Sequence, residues 1–155
     1  MSQIIEILNY EEGYSETPYL DTRNFPTVAG GIKIGPQNAP ISQYQFTVPR
    51  PVGDTWKKCL VDAKTASMNR QPAIVAALAQ CNDARRDILN SMAYQMGVSG
   101  LAGFTNMLGL ISKGDFPGAA SAMLKSLWAR QTPNRASRHA DVMRTGTYDA
   151  YKGLI

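Results

Sequence analysis

Residues 11–27 read EEGYSETPYLDTRNFPT, which gathers Glu12, Asp21 and Thr27 around one short, turn-rich segment. Two carboxylates and a hydroxyl of this kind can cut a glycosidic bond. One carboxylic acid gives its proton to the leaving oxygen, and the other carboxylate works from the opposite side of the sugar. In an inverting enzyme the two stand ~6.5–9.5 Å apart, which leaves room for a water. A hydroxyl beside the second carboxylate helps to hold that water. Glu12 is the better acid, because the last turn of a helix faces it with the negative end of the helix dipole and disfavours its ionisation. Asp21, in a polar turn, is the better base. The residues alone leave an alternative open: Asp21 as a turn-forming aspartate before Thr22, and Thr27 as an ordinary strand threonine.

The elements that must position these groups follow from the local pattern. Ile4, Ile5 and Leu8 have helical spacing, with Ser2 as N-cap and Gly13 as the stop. From Tyr14 to about Val52, Gly and Pro are frequent and the apolar runs are short ("PYLD", "FPTVA", "GIKIG", "YQFTV"). This predicts a small antiparallel sheet with tight turns at "DTRN" and "AGG". "GPQNAPISQ" reads as a loop and "RPVGD" as a boundary, with Asp54 capping a long helix over about 54–70. Trp56, Leu60, Ala63 and Ser67 would line one face of that helix, with Cys59 partly buried beside it. Helices are expected near 73–80, 83–96, 105–112, 116–124, 127–131 and 134–141, with a last piece near 147–152. "ILNSMAYQMG" is apolar nearly all round and should be a buried central helix.

Composition narrows the classes. The 155 residues are 44 % hydrophobic and 18 % charged, a globular balance long enough to bury a core without staples. Sixteen Lys+Arg against 12 Asp+Glu leave +4, which suits a polyanionic partner such as nucleic acid, an anionic membrane face or a cell-wall polymer. Cys59 and Cys81 lack metal-ligand spacing and read as free thiols. The single histidine, His139, excludes a multi-histidine zinc site, and among Arg135, Arg138 and Arg144 it reads as a solvated surface side chain. No stretch reaches the roughly 18 apolar residues of a membrane span, and the N-terminus lacks the features of a secretory signal.

"EEG", "YLDT" and "PT" at these spacings resemble the T-even phage lysozyme family. So do the longer strings "NSMAYQMGVSGLAGFTNML", "WARQTPNRASR" and "RTGTYDAYK". The resemblance implies an α+β, lysozyme-like fold forming one domain over 1–155. A β-rich lobe would cover 13–53, a connecting helix 54–71 and a helical lobe 1–12 with 72–155, with an active-site cleft between the lobes. It implies Glu12 as general acid, Asp21 as the carboxylate that activates water, and Thr27 as the residue that positions that water. The reaction implied is hydrolysis, with inversion, of the β-1,4 bond between N-acetylmuramic acid and N-acetylglucosamine in peptidoglycan. Arg135 matches an arginine that approaches the acid. Gln95 and Trp128 match a buried polar contact between the central and C-terminal helices. Tyr94 and Met107 match positions lining a sugar cleft, although Met107 suits a core equally well.

The sheet departs from the family pattern. Where the family continues Gly-x-Gly-His, this chain has Ala29-Gly30-Gly31-Ile32, so the histidine is missing, and residues 36–55 run shorter. Lys33 could reach substrate there, or be a solvated strand lysine. Ala122 replaces an expected asparagine. No cofactor or metal is expected. The expected partner is peptidoglycan, with no nucleic acid, no stable membrane insertion and a monomeric state. The expected location is the host cytoplasm, until a separate pore protein releases the chain to the wall. Two alternatives stand beside an endolysin. One is a virion-associated or wall-binding domain with weak catalysis. The other is nucleic-acid binding through Arg130, Arg135, Arg138 and Arg144, which lacks a stacking array or readout motif.

Overall fold

The computed structural model describes residues 1–155. Eight α-helices and a three-stranded antiparallel sheet make an α+β fold. The chain divides into two compact units, one of residues 5–60 and one of residues 1–4 with 61–155. The first carries five Lys/Arg and six Asp/Glu and the second eleven and six, so the net positive charge resides in the second.

In the first unit, α1 (Ile4–Glu12) begins just after Ser2, whose Oγ lies 3.4 Å from the amide of Ile4. The helix stops at Gly13, which adopts φ +68, a conformation that glycine takes without steric cost. Strands β1 (Ser15–Leu20), β2 (Pro26–Ala29) and β3 (Ile32–Lys33) follow in the order β1-β2-β3. The "DTRN" turn is present: the Asn24 amide donates to the Asp21 carbonyl at 3.0 Å, and Asn24 takes φ 62. Val28, Ala29, Ile32 and Val48 form a small core, with Tyr14, Ile34, Trp56 and Leu60 packed on it. Ile32, the residue in place of the expected histidine, is only 4 % exposed and belongs to this core.

Several expectations fail here. "YQFTV" forms no strand; a 3-10 turn at Ile41–Gln43 precedes it, and Val48 joins β1 by a single bond from its amide to the Glu16 carbonyl at 2.7 Å. The long helix α2 spans Arg50–Met68 and starts ahead of Asp54. Pro51 favours that earlier start, because its fixed φ suits the first helical turn and its missing N–H costs nothing there. Asp54 therefore caps nothing; it accepts from Asn9 Nδ2 at 3.0 Å and pairs with Arg50 at 3.6 Å. Of the expected face of α2, Trp56 and Leu60 do pack on the small core but Ala63 is exposed; Lys57, Val61 and Met68 are the buried large side chains, and Cys59 is exposed rather than half-buried.

The second unit is helical: α3 (Pro72–Leu78), α4 (Asp83–Ala102), α5 (Thr105–Ser112), α6 (Phe116–Leu124), α7 (Leu127–Gln131) and α8 (Pro133–Thr145). Asn82, Asp115 and Ser126 cap α4, α6 and α7 by accepting backbone amides. Helix α4 is the buried central element, with Ile88, Leu89, Met92 and Ala93 at 0 % exposure. It kinks at Gly97 (φ 82, ψ 161), a backbone region open essentially to glycine alone. The kink ends the first stretch of helix at the expected residue 96. No helix of the chain is long and apolar enough to cross a membrane.

Candidate active site

Asp21 and Thr27 are tied to one peptide, that of Phe25. The Phe25 amide donates to Asp21 Oδ1 at 2.9 Å, as does the Arg23 amide at 2.9 Å. The Phe25 carbonyl accepts from the Asp21 amide at 3.0 Å and from Thr27 Oγ1 at 2.8 Å. An aspartate at the head of such a turn closes it with its own side chain. The consequence for chemistry is orientation. Asp21 Oδ1 is engaged by backbone donors, and Oδ2 takes no hydrogen bond from the protein. The Thr27 hydroxyl spends its proton on Phe25, so only its lone pairs can meet a ligand or water.

The sheet register assembles a row. Thr27 on β2 pairs with Tyr19 on β1 and with Lys33 on β3, and directly paired residues share one face of a sheet. Val28 and Ile32, on the opposite face, enter the core. Tyr19, Thr27 and Lys33 therefore line one side, with Thr27 only 2 % exposed between its two larger neighbours. Lys33 is exposed and lays its ammonium over the Phe25 ring, 4.1 Å from the centroid, while Arg23 lies 5.6 Å from the same centroid.

Glu12 sits at the end of α1, half-buried, against the β2–β3 turn. A Cβ placed on Gly31 would lie 3.1 Å from Glu12 Oε2 and 3.2 Å from Glu12 Cβ. Gly31 also has φ +79, so this is a position where the backbone needs glycine both for conformation and for closeness to the carboxylate. Behind the turn, Lys57 is fully buried; its Nζ donates to Asn9 Oδ1 at 2.6 Å and occupies the space that a Gly30 side chain would take. A chain of contacts thus runs from Asp54 through Asn9, one turn ahead of Glu12, to Lys57 and Gly30. Burial first, then the Glu12 carboxylate, then that of Asp21 push the Tyr19 phenol above its ordinary range. Both acids therefore act on one side chain. Neither Tyr19 nor Lys57 stood out in the sequence; for Tyr19 the available signal was strand alternation, two residues before Asp21.

The remaining candidates belong to the helical unit. Tyr94 is half-buried on α4 before the kink, and Met107 is 2 % exposed inside the core of α5, which suits its core-filling role. Gln95 accepts from Trp128 Nε1 at 2.8 Å, so that contact exists, although Gln95 itself is exposed. Arg135 is 6 % exposed and donates to Ser91 Oγ at 2.9 Å. His139 contradicts the surface reading: it is 0 % exposed. Its Nε2 lies 2.8 Å from Ser91 Oγ and its Nδ1 2.9 Å from Tyr151 Oη, so a hydroxyl at each ring nitrogen satisfies either tautomer of a neutral imidazole. The neighbouring arginines misled the sequence reading. The helical row Ala136, His139, Ala140 and Met143 faces inward, while Arg144 is exposed and Arg138 is half-buried with its guanidinium 5.9 Å from the Tyr151 ring centroid.

Fold and site define a lysozyme-like α+β protein whose candidate groups are two carboxylates and a threonine. No family model matches the chain. The chain is 28 % identical over 169 residues to probable T4-type lysozyme 1 of Dictyostelium discoideum, covering 98 % of this chain and 99 % of that protein. It is 27 % identical over 169 residues to probable T4-type lysozyme 2 of the same organism. It is also 31 % identical over 162 residues to the pre-baseplate central spike protein Gp5 of Enterobacteria phage T4, covering 94 % of this chain but only 28 % of that protein. These likenesses, two of them over nearly the full length of both proteins, support a T4 lysozyme-like family.

Proposed function

We propose that the protein is a muramidase that hydrolyses the β-1,4 bond between N-acetylmuramic acid and N-acetylglucosamine of peptidoglycan, with inversion, and lyses the host cell. The observation that carries this reading is the arrangement of Asp21 and Thr27 on the Phe25 peptide, with Glu12 packed against Gly31 at the β2–β3 turn of the same sheet. Glu12 gives its proton to the glycosidic oxygen as the C1–O bond breaks. A water donates one hydrogen to Asp21 Oδ2 and the other to the lone pairs of Thr27 Oγ1, which leaves its own lone pair facing C1. As the water oxygen bonds to C1 from the side opposite the leaving group, Asp21 takes the proton and the anomeric configuration inverts. Glu12 then regains a proton from solvent and Asp21 releases its own to solvent, which restores the starting state. Lys33 and Tyr94 are proposed substrate contacts, and Arg135 and Gln95 supporting residues; Met107, buried in the core, is not among them. The full-length matches to proteins named T4-type lysozymes support the reaction class.

The test is hydrolysis of purified peptidoglycan with identification of the new reducing ends. Glu12→Gln and Asp21→Asn should each lower the rate by about 10²-fold or more while folding persists, because each variant keeps the shape and the acceptor oxygen of the original side chain. A first product that keeps the anomeric configuration of the substrate overturns the water mechanism. A second reading, a virion-associated domain, draws on the match to the phage spike protein. It predicts binding of exposed walls without clearing in a turbidity assay. On the first reading the protein acts on the wall after leaving the host cytoplasm through a separate pore. Wall digestion by lysates of cells that express it, with intact cells unaffected from outside, checks that route.

A further inference from the structure

Tyr19 has properties that the proposed reaction does not yet use. It lies on β1, an edge strand, directly across from Thr27 and two residues before Asp21. It is half-buried, and its hydroxyl makes no hydrogen bond with the protein. A phenol at an ordinary packing position finds a partner for its hydroxyl or turns it fully into water. This one does neither, and it lies close enough to Glu12 and Asp21 to feel both carboxylates. Like any phenol it is protonated at neutral pH, and burial first, then Glu12 and Asp21, push its titration further up, so it is a donor there. The Asp21 carboxylate and the carboxyl group of Glu12 disfavour an anionic ligand. They leave the phenol suited to an uncharged oxygen, such as a sugar hydroxyl or an acetamido carbonyl. The ring adds an apolar face of the kind on which the C–H face of a pyranose can rest.

We propose that Tyr19 contacts the substrate directly: its ring bears the sugar seated over the Tyr19–Thr27–Lys33 row, and its hydroxyl donates a hydrogen bond to an uncharged oxygen of that amino sugar. The inference rests on the muramidase reading and names a contact within that same site. It makes Tyr19 a binding residue that orients the sugar above Thr27, where the water is held. Proton transfer stays with Glu12 and Asp21.

The experiment compares wild type, Tyr19→Phe and Tyr19→Ala on purified, uncross-linked glycan strands of peptidoglycan, scored by reducing-end release and thermal unfolding. Tyr19→Phe should raise KM about three- to tenfold, the value of one lost hydrogen bond, with kcat within about twofold and the unfolding midpoint unchanged. Tyr19→Ala should raise KM further. In the Glu12→Gln background, where no turnover interferes, glycan-strand affinity read by tryptophan fluorescence should fall by the same factor on Tyr19→Phe. A wild-type KM and affinity for Tyr19→Phe overturns the proposal, as does a loss confined to thermal stability. If wild type releases no reducing ends, the muramidase reading fails. The affinity comparison then decides the Tyr19 contact alone, and unchanged binding still sinks it.

Discussion

The carboxylate of Glu12 lies against the backbone of Gly31, close enough that a methyl group on Gly31 would stand 3.1 Å from Glu12 Oε2. The left-handed conformation of Gly31 and this closeness are separate constraints, and they can be tested separately. Gly31→Ala should cost about 1–2 kcal/mol from the backbone alone. It should also cost activity, by displacing the acid. Gly114, at φ +77 with no atom within 4 Å of its would-be Cβ, supplies the control. Gly114→Ala should show a similar fall in the urea midpoint with peptidoglycan hydrolysis intact. Equal activity in the two variants would show that Gly31 does not position Glu12.

Lys57 and Gly30 should be energetically coupled. A Cβ on Gly30 would overlap the end of the buried Lys57 side chain. Gly30→Ala should therefore destabilise the wild-type background strongly. It should cost less in Lys57→Leu, whose shorter side chain clears the space. The coupling energy from the double-mutant cycle, measured by urea unfolding, should reach about 1 kcal/mol or more. Additive effects would place the two groups apart.

Stability should fall with mild acid through His139. Burial first, then Arg135 and Arg138, hold its imidazole well below the usual histidine range, so it stays neutral in the folded protein. The unfolded chain takes up a proton near pH 6.5 and the folded one does not. The unfolded state therefore binds more protons below that pH, and stability drops as pH falls from about 6.5, by at most ~1.4 kcal/mol per pH unit. Urea midpoints at pH 7.5 and pH 5.5 should differ clearly in wild type and much less in His139→Gln. An equal drop in both would assign the acid sensitivity elsewhere.

The two thiols should differ in reactivity under native conditions. Cys59 is exposed. Cys81 is 7 % exposed, its Sγ bonds the Ala77 carbonyl at 3.3 Å, and burial pushes its thiol up to about 11. A thiolate-directed reagent at pH 8 should modify one cysteine promptly and the second only on unfolding. Peptide mapping should find the prompt label on Cys59.

Much of this architecture was written locally. Helical spacing, Gly13 and the Asp21–Asn24 turn each depend on neighbours a few residues away, so the order of elements and the placement of Glu12 and Asp21 near turns were legible. The start of α2 was misread because two turn signals overlap there: Asp54 suits a cap, but Pro51 already suits a first turn. What only the tertiary structure decided is which groups meet. The pairing of Thr27 with both Tyr19 and Lys33, the approach of Gly31 to Glu12, and the burial of Lys57 and His139 depend on strand register and on packing between segments distant in the chain. A residue's type and near neighbours do not fix these. Charge beside His139 pointed outward in sequence, yet the helix turns that side chain inward, where hydroxyls from Ser91 and Tyr151 make burial tolerable.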